Sequence, residues 1–161
     1  MRFEKISEKQ FEKDIVDIWC DYGDLKLPAR STELSAGYDF FSPRDFTLRP
    51  GEHILIPTGI KFDCDSDKWL MIVPRSGQGF KYGIRLANSV GVIDADYFNN
   101  VKNEGHIWVK LEYPISSINN KPWIVERGEA FCQGIILPYY KVDNDNSKEI
   151  RKGGFGSTSN S

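Results

Sequence analysis

Two polar clusters within residues 74–97, PRSGQGFKYGIRLANSVGVIDADY, carry side chains suited to a phosphorylated ligand. Arg75, Ser76 and Gly77 follow the strand-like run LMIVP, so a guanidinium, a hydroxyl and approachable backbone amides gather at a strand end. Such a trio suits phosphate oxygens, because the guanidinium donates as a planar fork and a bare glycine lets an anion reach backbone N–H groups. Further on, IRLANSVGVID alternates imperfectly between apolar and polar residues and contains Gly91, as expected of a hairpin against which a flat ligand could lie. Asn88 would read the ligand's edge, since an amide offers both the donor and the acceptor needed by the adjacent carbonyl and imino groups of a ring such as uracil. Asp94 would lie beside the phosphates. The same residues also have plain readings: RSG as a turn, Asn88 as a turn former and Asp94 as a strand-end cap, all types that turn chemistry favours.

The elements that must hold these residues are mostly strands. Residues 7–20 read as an amphipathic helix, with Ser7 and Gln10 at capping-box spacing and Phe11, Ile15, Ile18 and Trp19 on one face. After Asp21, Tyr22 and Gly23 no second helical period is evident. Short apolar runs then recur between turn signals, FTL, HILIP, KWLMIVP, HIWVKLEY, PWIV and FCQGIILPYY, which argues for an all-β sandwich or barrel. In HIWVKLEY, Ile107, Val109, Leu111 and Tyr113 mark one buried face, and Trp108 is an exposed or interfacial candidate. FNNVKNEG, residues 98–105, is rich in turn formers and reads as an exposed loop. The organisation expected is one domain: helix 7–20, β core 24–142, and a polar arm 143–161 whose Gly/Ser-rich end reads by composition as a flexible tail. Phe155 is the one aromatic in that end.

Composition narrows the function classes. The 161 residues suffice for one domain with a real core and are too few for two of ordinary size. Twenty-one basic against 23 acidic residues, net charge -2, gives no reason to expect a nucleic-acid partner. Cys20, Cys64 and Cys132 are widely spaced and, with only His53 and His106, form no zinc-ligand pattern, so reduced thiols of a cytoplasmic protein are expected. No apolar run approaches the roughly 20 residues that span a bilayer, and MRFEKISEKQ lacks a signal-peptide core, so no membrane association is expected.

Five segments, AGYDF (36–40), PRSG (74–77), NSVGVIDADY (88–97), ERGEAFCQ (126–133) and GGFGST (153–158), resemble in order and spacing the motifs of the trimeric deoxyuridine triphosphatase (dUTPase) family. The resemblance implies a jelly-roll or β-barrel subunit with a short N-terminal helix and a C-terminal arm, forming a homotrimer with active sites at subunit junctions. It implies hydrolysis of dUTP to dUMP and pyrophosphate, which keeps uracil out of DNA and supplies dUMP for thymidylate synthesis. Asp94 would orient and deprotonate a water for attack on the α-phosphorus. Arg75, Ser76, Gly77 and Gln133 would hold phosphate oxygens, with Arg151, Gly156, Ser157 and Thr158 of the arm. Asn88, Gly91 and the backbone around Val92 and Ile93 would recognise uracil, Phe155 would cover it, and Tyr97 would pack on the deoxyribose and leave no room for a 2′-hydroxyl. Mg2+ would bridge the phosphates, with Asp39 bonded to its waters and not to the metal itself.

Three features depart from the family pattern. Ala130 stands where a basic residue is usual, Arg151 lies closer than usual to GGFGST, and FNNVKNEG lengthens the connection after Tyr97. The loop reads as a tolerated surface insertion, since loop closure costs little, and the N-terminal helix is expected on the outside of the barrel. Deamination of dCTP on a similar fold is disfavoured by the GGFGST arm and by the lack of a matching glutamate. If the source is a phage, a regulatory protein is a further candidate partner.

Overall fold

The computed structural model describes residues 1–15, 20–115 and 119–148. Among these, eleven strands alternate with little helix: β1 (Arg2–Lys5), β2 (Gly37–Phe41), β3 (Phe46–Leu48), β4 (His53–Pro57), β5 (Ile60–Asp63), β6 (Lys68–Val73), β7 (Arg85–Leu86), β8 (Gly91–Asp94), β9 (Trp108–Glu112), β10 (Trp123–Val125) and β11 (Ala130–Pro138). Two short helices are α1 (Glu8–Asp14) and α2 (Ser76–Tyr82). A four-stranded sheet, β2-β11-β6-β8, and a three-stranded one, β4-β9-β7, are joined by the pairs β1-β5 and β3-β10. Every pairing is antiparallel and most join strands distant in sequence, the wiring of a jelly roll.

Alternation sets which face is buried. Ile107, Val109, Leu111 and Tyr113 are at most 1% exposed, while Trp108 is only half-buried on the other face. Leu70 and Ile72 of β6, Ile93 of β8, Phe40 of β2 and Phe131 of β11 join them in one hydrophobic cluster, so the strands that bear the polar motifs share the main core. Three thiols are free, and burial raises the pKa of each, most of all for fully buried Cys132.

The N-terminus departs from expectation in three ways. Residues 2–5 form β1, paired with β5. The helix runs over Glu8–Asp14, with Ile15 as its C-cap at φ −111°; Ile18 and Trp19 lie outside the described residues. The capping box is half made: Ser7 Oγ accepts from the Gln10 N–H at 3.1 Å, but the Ser7 N–H goes to Glu104 at 2.8 Å, not to Gln10. Phe11 packs with Ile6 and Leu25 in a satellite cluster against the barrel.

A second tie runs from α1 to the loop. His106 is fully buried, its Nδ1 2.6 Å from Asp14, and its Nε2 accepts the Gly59 N–H at 2.8 Å. Accepting at Nε2 requires the neutral ring with its proton on Nδ1, donated to the Asp14 carboxylate. Burial pushes the imidazole pKa below its usual value, against the upward pull of Asp14, which agrees with that tautomer.

The remaining miss is α2. Its two glycines, Gly77 and Gly79, argue against helix, each by about 1 kcal/mol relative to alanine. Tertiary bonds prevail: Gln78, buried at the first turn, accepts the Arg75 N–H at 3.1 Å and donates to the Ala130 carbonyl at 2.9 Å.

Candidate active site

Strand register fixes where the polar residues stand. Gln133 of β11 pairs with Asp39 of β2 on one side and Val73 of β6 on the other. Asp94 of β8 pairs with Trp69 at the far end of β6. With Leu70 and Ile72 turned into the core, Trp69 and Val73, and hence Asp94, Asp39 and Gln133, share the sheet's outer face. Four residue steps of strand separate the two rows, about 13 Å along β6.

One end gathers Asp39, Arg75 and Gln133. Arg75 Nε lies 2.9 Å from Asp39 Oδ1 and its Nη1 is 3.4 Å from the Ala130 carbonyl. Gln133 Nε2 donates to the Pro74 carbonyl at 3.1 Å. Its amide lies over Gly37, where a Cβ would stand 2.3 Å from Oε1, so the glycine of AGYDF makes room for the glutamine of the fourth segment. Ser76 and Gly77 are exposed at the start of α2, and nothing lies within 4 Å of a Cβ built on Gly77. A half-exposed guanidinium beside open backbone suits an oxyanion. Ala130 takes part through its carbonyl, at a β-bulge between Ala130 and Cys132, and Arg127 is engaged by Asp24 at 2.7 Å.

The segment with Asn88, Gly91, Val92, Ile93, Asp94 and Tyr97 runs along β6 from Gly91, opposite Ile72, to Asp94, opposite Trp69, so only Asp94 and Tyr97 reach the far end. The expected hairpin is splayed: β7 joins the three-stranded sheet beside β9, and β8 edges the four-stranded sheet beside β6, with one bridge, Leu86 to Ser89, across the turn. The arms part because Leu86 and Ile93 both point into the core from different sheets. Between them opens a cavity of about 470 Å³ lined by Leu86, Asn88, Gly91, Ile93, Asn103 and Trp108 among others. Asn88 is exposed at its rim, and β8, an edge strand, turns one row of N–H and C=O groups away from β6. Asp94 ends β8 and precedes the 3-10 turn Ala95–Tyr97; Tyr97 is buried, its hydroxyl donating to the His106 carbonyl at 2.9 Å.

Register therefore brings Asp39, Arg75 and Gln133 together and leaves Asp94 at the far end of β8. Arg151, Phe155, Gly156, Ser157 and Thr158 lie outside the described residues. Among the described residues no three His, Cys, Asp or Glu side chains converge as a metal-holding group, and Asp39 is the carboxylate paired with Arg75. That donor set suits a cation held by phosphates and waters, not by a protein cage. Two residues escaped the sequence reading: Gln78, whose place three after Arg75 is a capping signal, and Asn103, which no sequence signal marks.

Comparison with known proteins bears on this arrangement. Residues 24–159 match the dUTPase family model. The deoxyuridine 5'-triphosphate nucleotidohydrolase of Lactococcus lactis is 42% identical over 136 residues, covering 83% of this chain and 88% of that protein. The Clostridium tetani enzyme of the same name is 37% identical over 142 residues, covering 84% and 90%. A crystal structure of dUTPase from Streptococcus mutans, 33% identical, superposes with a TM-score of 0.69 over 89% of this chain and all of that one. The dUTPase of phage phi11 of S. aureus, for which coordination of a structural Mg(II) ion is described, shares the fold at 18% identity with a TM-score of 0.62, covering 92% of this chain and 96% of that one. No described helix is long and apolar enough to cross a membrane. With the family model covering most of its length and relatives of this identity, the chain belongs to the dUTPase family.

Proposed function

We propose that the protein hydrolyses dUTP to dUMP and pyrophosphate at sites shared between chains of a homotrimer. The observation that carries the shared site is the split register: Arg75, Asp39 and Gln133 stand at one end of the sheet face and Asp94 about 13 Å along it at the other. A hydrogen-bonded general base must come within about 3 Å of its water, so the phosphate group of one chain serves the hairpin of its neighbour.

At such a junction Asn88 and the outward backbone of Gly91, Val92 and Ile93 read uracil in the cavity, and Tyr97 packs on the deoxyribose. Asp94 takes the proton of the water that attacks the α-phosphorus. Arg75, the Ser76 hydroxyl, the Gly77 amide and Gln133 hold phosphate oxygens and stabilise charge as it moves to the leaving pyrophosphate. Mg2+ would supply charge neutralisation for the triphosphate, and Asp39 would help hold it through water. Arg151, Gly156, Ser157 and Thr158 add phosphate contacts and Phe155 covers the base from the arm.

Pyrophosphate release from dUTP, dTTP, dCTP and UTP with magnesium tests the chemistry: dUTP alone is split, and Asp94→Asn lowers kcat by about 10³-fold. Complementation tests the sharing. Asp94→Asn and Arg75→Ala chains, each strongly impaired, regain activity when refolded together, because every mixed trimer contains one junction with both wild-type groups. No recovery with mixed trimers present in the mass spectrum would sink the shared site and leave hydrolysis standing.

A further inference from the structure

Residues 98–105 look like filler between Tyr97 and β9, yet they are folded tightly onto the tyrosine. Asn99, Glu104 and Gly105 all take positive φ, at 54°, 59° and 81°. A Cβ at Gly105 would stand 2.6 Å from the Tyr97 carbonyl oxygen, so the loop returns as close to Tyr97 as backbone allows. Asn100, buried, donates its amide to that same carbonyl at 3.0 Å and to Asn103 Oδ1 at 2.7 Å.

Asn103 is the hub. Its Nδ2 donates to the Tyr97 hydroxyl at 2.9 Å and towards the His106 carbonyl at 3.4 Å; its Oδ1 accepts from Asn100 and from the Gly105 N–H at 3.2 Å. Both donor hydrogens and both acceptor lone pairs are thereby used within the protein. Asn103 lines the same cavity as Asn88, but its amide has no capacity left to read a ligand. The loop is clamped from outside as well: Glu104 accepts from the Ser7 N–H and hydroxyl at 2.8 and 2.5 Å, and His106 is held by Asp14.

We infer that Asn103 is a positioning residue that pins the Tyr97 phenol and so sets the discrimination between deoxyribose and ribose nucleotides. This rests on the reading of Tyr97 as the wall against the sugar. A phenol held at its oxygen by Asn103 and His106 cannot swing aside, and a steric veto is only as sharp as its wall is rigid. The added loop and the added helix then form one support, running from α1 through Glu104 and His106 to Asn103 and Tyr97.

Steady-state kinetics of the full-length chain with dUTP and UTP provide the test. Asn103→Ala lowers the dUTP-over-UTP ratio of kcat/KM about tenfold, the effect of one lost hydrogen bond, with the change in KM and kcat for dUTP within about threefold. Tyr97→Phe, which keeps the asparagine box and removes only the hydroxyl it holds, lowers the ratio in the same way and carries the test alone if Asn103→Ala does not fold. In the Tyr97→Phe background, Asn103→Ala adds no further loss. An unchanged ratio in either folded single variant, or additive losses in the double variant, overturns the inference. A wild-type chain that binds or splits dUTP and UTP equally sinks the sugar-wall reading itself, before any variant is compared.

Discussion

The two ends of the four-stranded sheet are built in opposite ways. At the Arg75 end, Arg75 and Gln133 are half-exposed and lightly held, Arg75 by the buried Asp39 carboxylate and one carbonyl, Gln133 by one carbonyl. At the Tyr97 end, a buried phenol is fixed by an asparagine box whose hydrogen-bonding capacity is filled. On the proposed reading, the Arg75 end meets a charged, hydrated triphosphate and must trade protein partners for ligand oxygens, so strong internal bonds there would compete with substrate. If Tyr97 is the sugar wall proposed above, it gains from having no such freedom.

The largest effect that would break this contrast is at the open end. Arg75→Ala should lower kcat/KM for dUTP about 10²-fold while lowering the melting temperature by no more than a few degrees, because the guanidinium itself is partly exposed. A larger drop would mean that Arg75 is structural cement instead. The dense end should answer in stability. Gly105→Ala puts a methyl against the Tyr97 carbonyl at positive φ and should cost about 2 kcal/mol in denaturant unfolding. A neutral result would mean the loop is looser than its contacts imply.

How much of this was legible beforehand follows the range of the forces involved. The strand 107–113 was readable because alternation is local and its faces differ sharply. Arg75, Asn88 and Asp94 stood out by residue type and Gln133 only through the family resemblance; the fold sets Arg75 and Gln133 beside Asp39. The helix α2 was hidden by Gly77 and Gly79, since what holds it is Gln78 reaching a strand 52 residues away. β1 is four residues long and exists only as the partner of β5. The splayed hairpin could not be seen either, because LANSV has the residues of a tight turn and only the pull of two sheets parts its arms. The loop 98–105 was legible as turns, not as support: its purpose lies in amide bonds to Tyr97 and in Ser7, 97 positions from Glu104.

A smaller effect separates position from stability at the open end. Gly37→Ala drives a methyl into Gln133 Oε1, the far end of a flexible side chain, which can move aside at little cost in folding. Displacing it should lower kcat/KM for dUTP about tenfold, with the unfolding free energy within about 0.5 kcal/mol of wild type. Equal losses in both would show that Gln133 packs as a strut and not as a poised ligand group.

The smallest expected effect tests the closed end through pH. His106 is neutral in the fold, with its pKa lowered by burial, whereas in the unfolded chain it titrates near 6.5. Below about pH 6.5 the unfolded state binds a proton that the folded state refuses, so this contribution is fully present above that pH and declines as the pH falls towards the folded pKa. Protonation would also break the Gly59 bond at Nε2 and so loosen the link between α1 and the Asn103 loop. Melting temperatures from pH 7.5 to 5 should therefore fall more in the wild type than in His106→Gln, whose amide does not titrate. Parallel curves would show that the buried imidazole is not the sensor and that acid acts elsewhere on the fold.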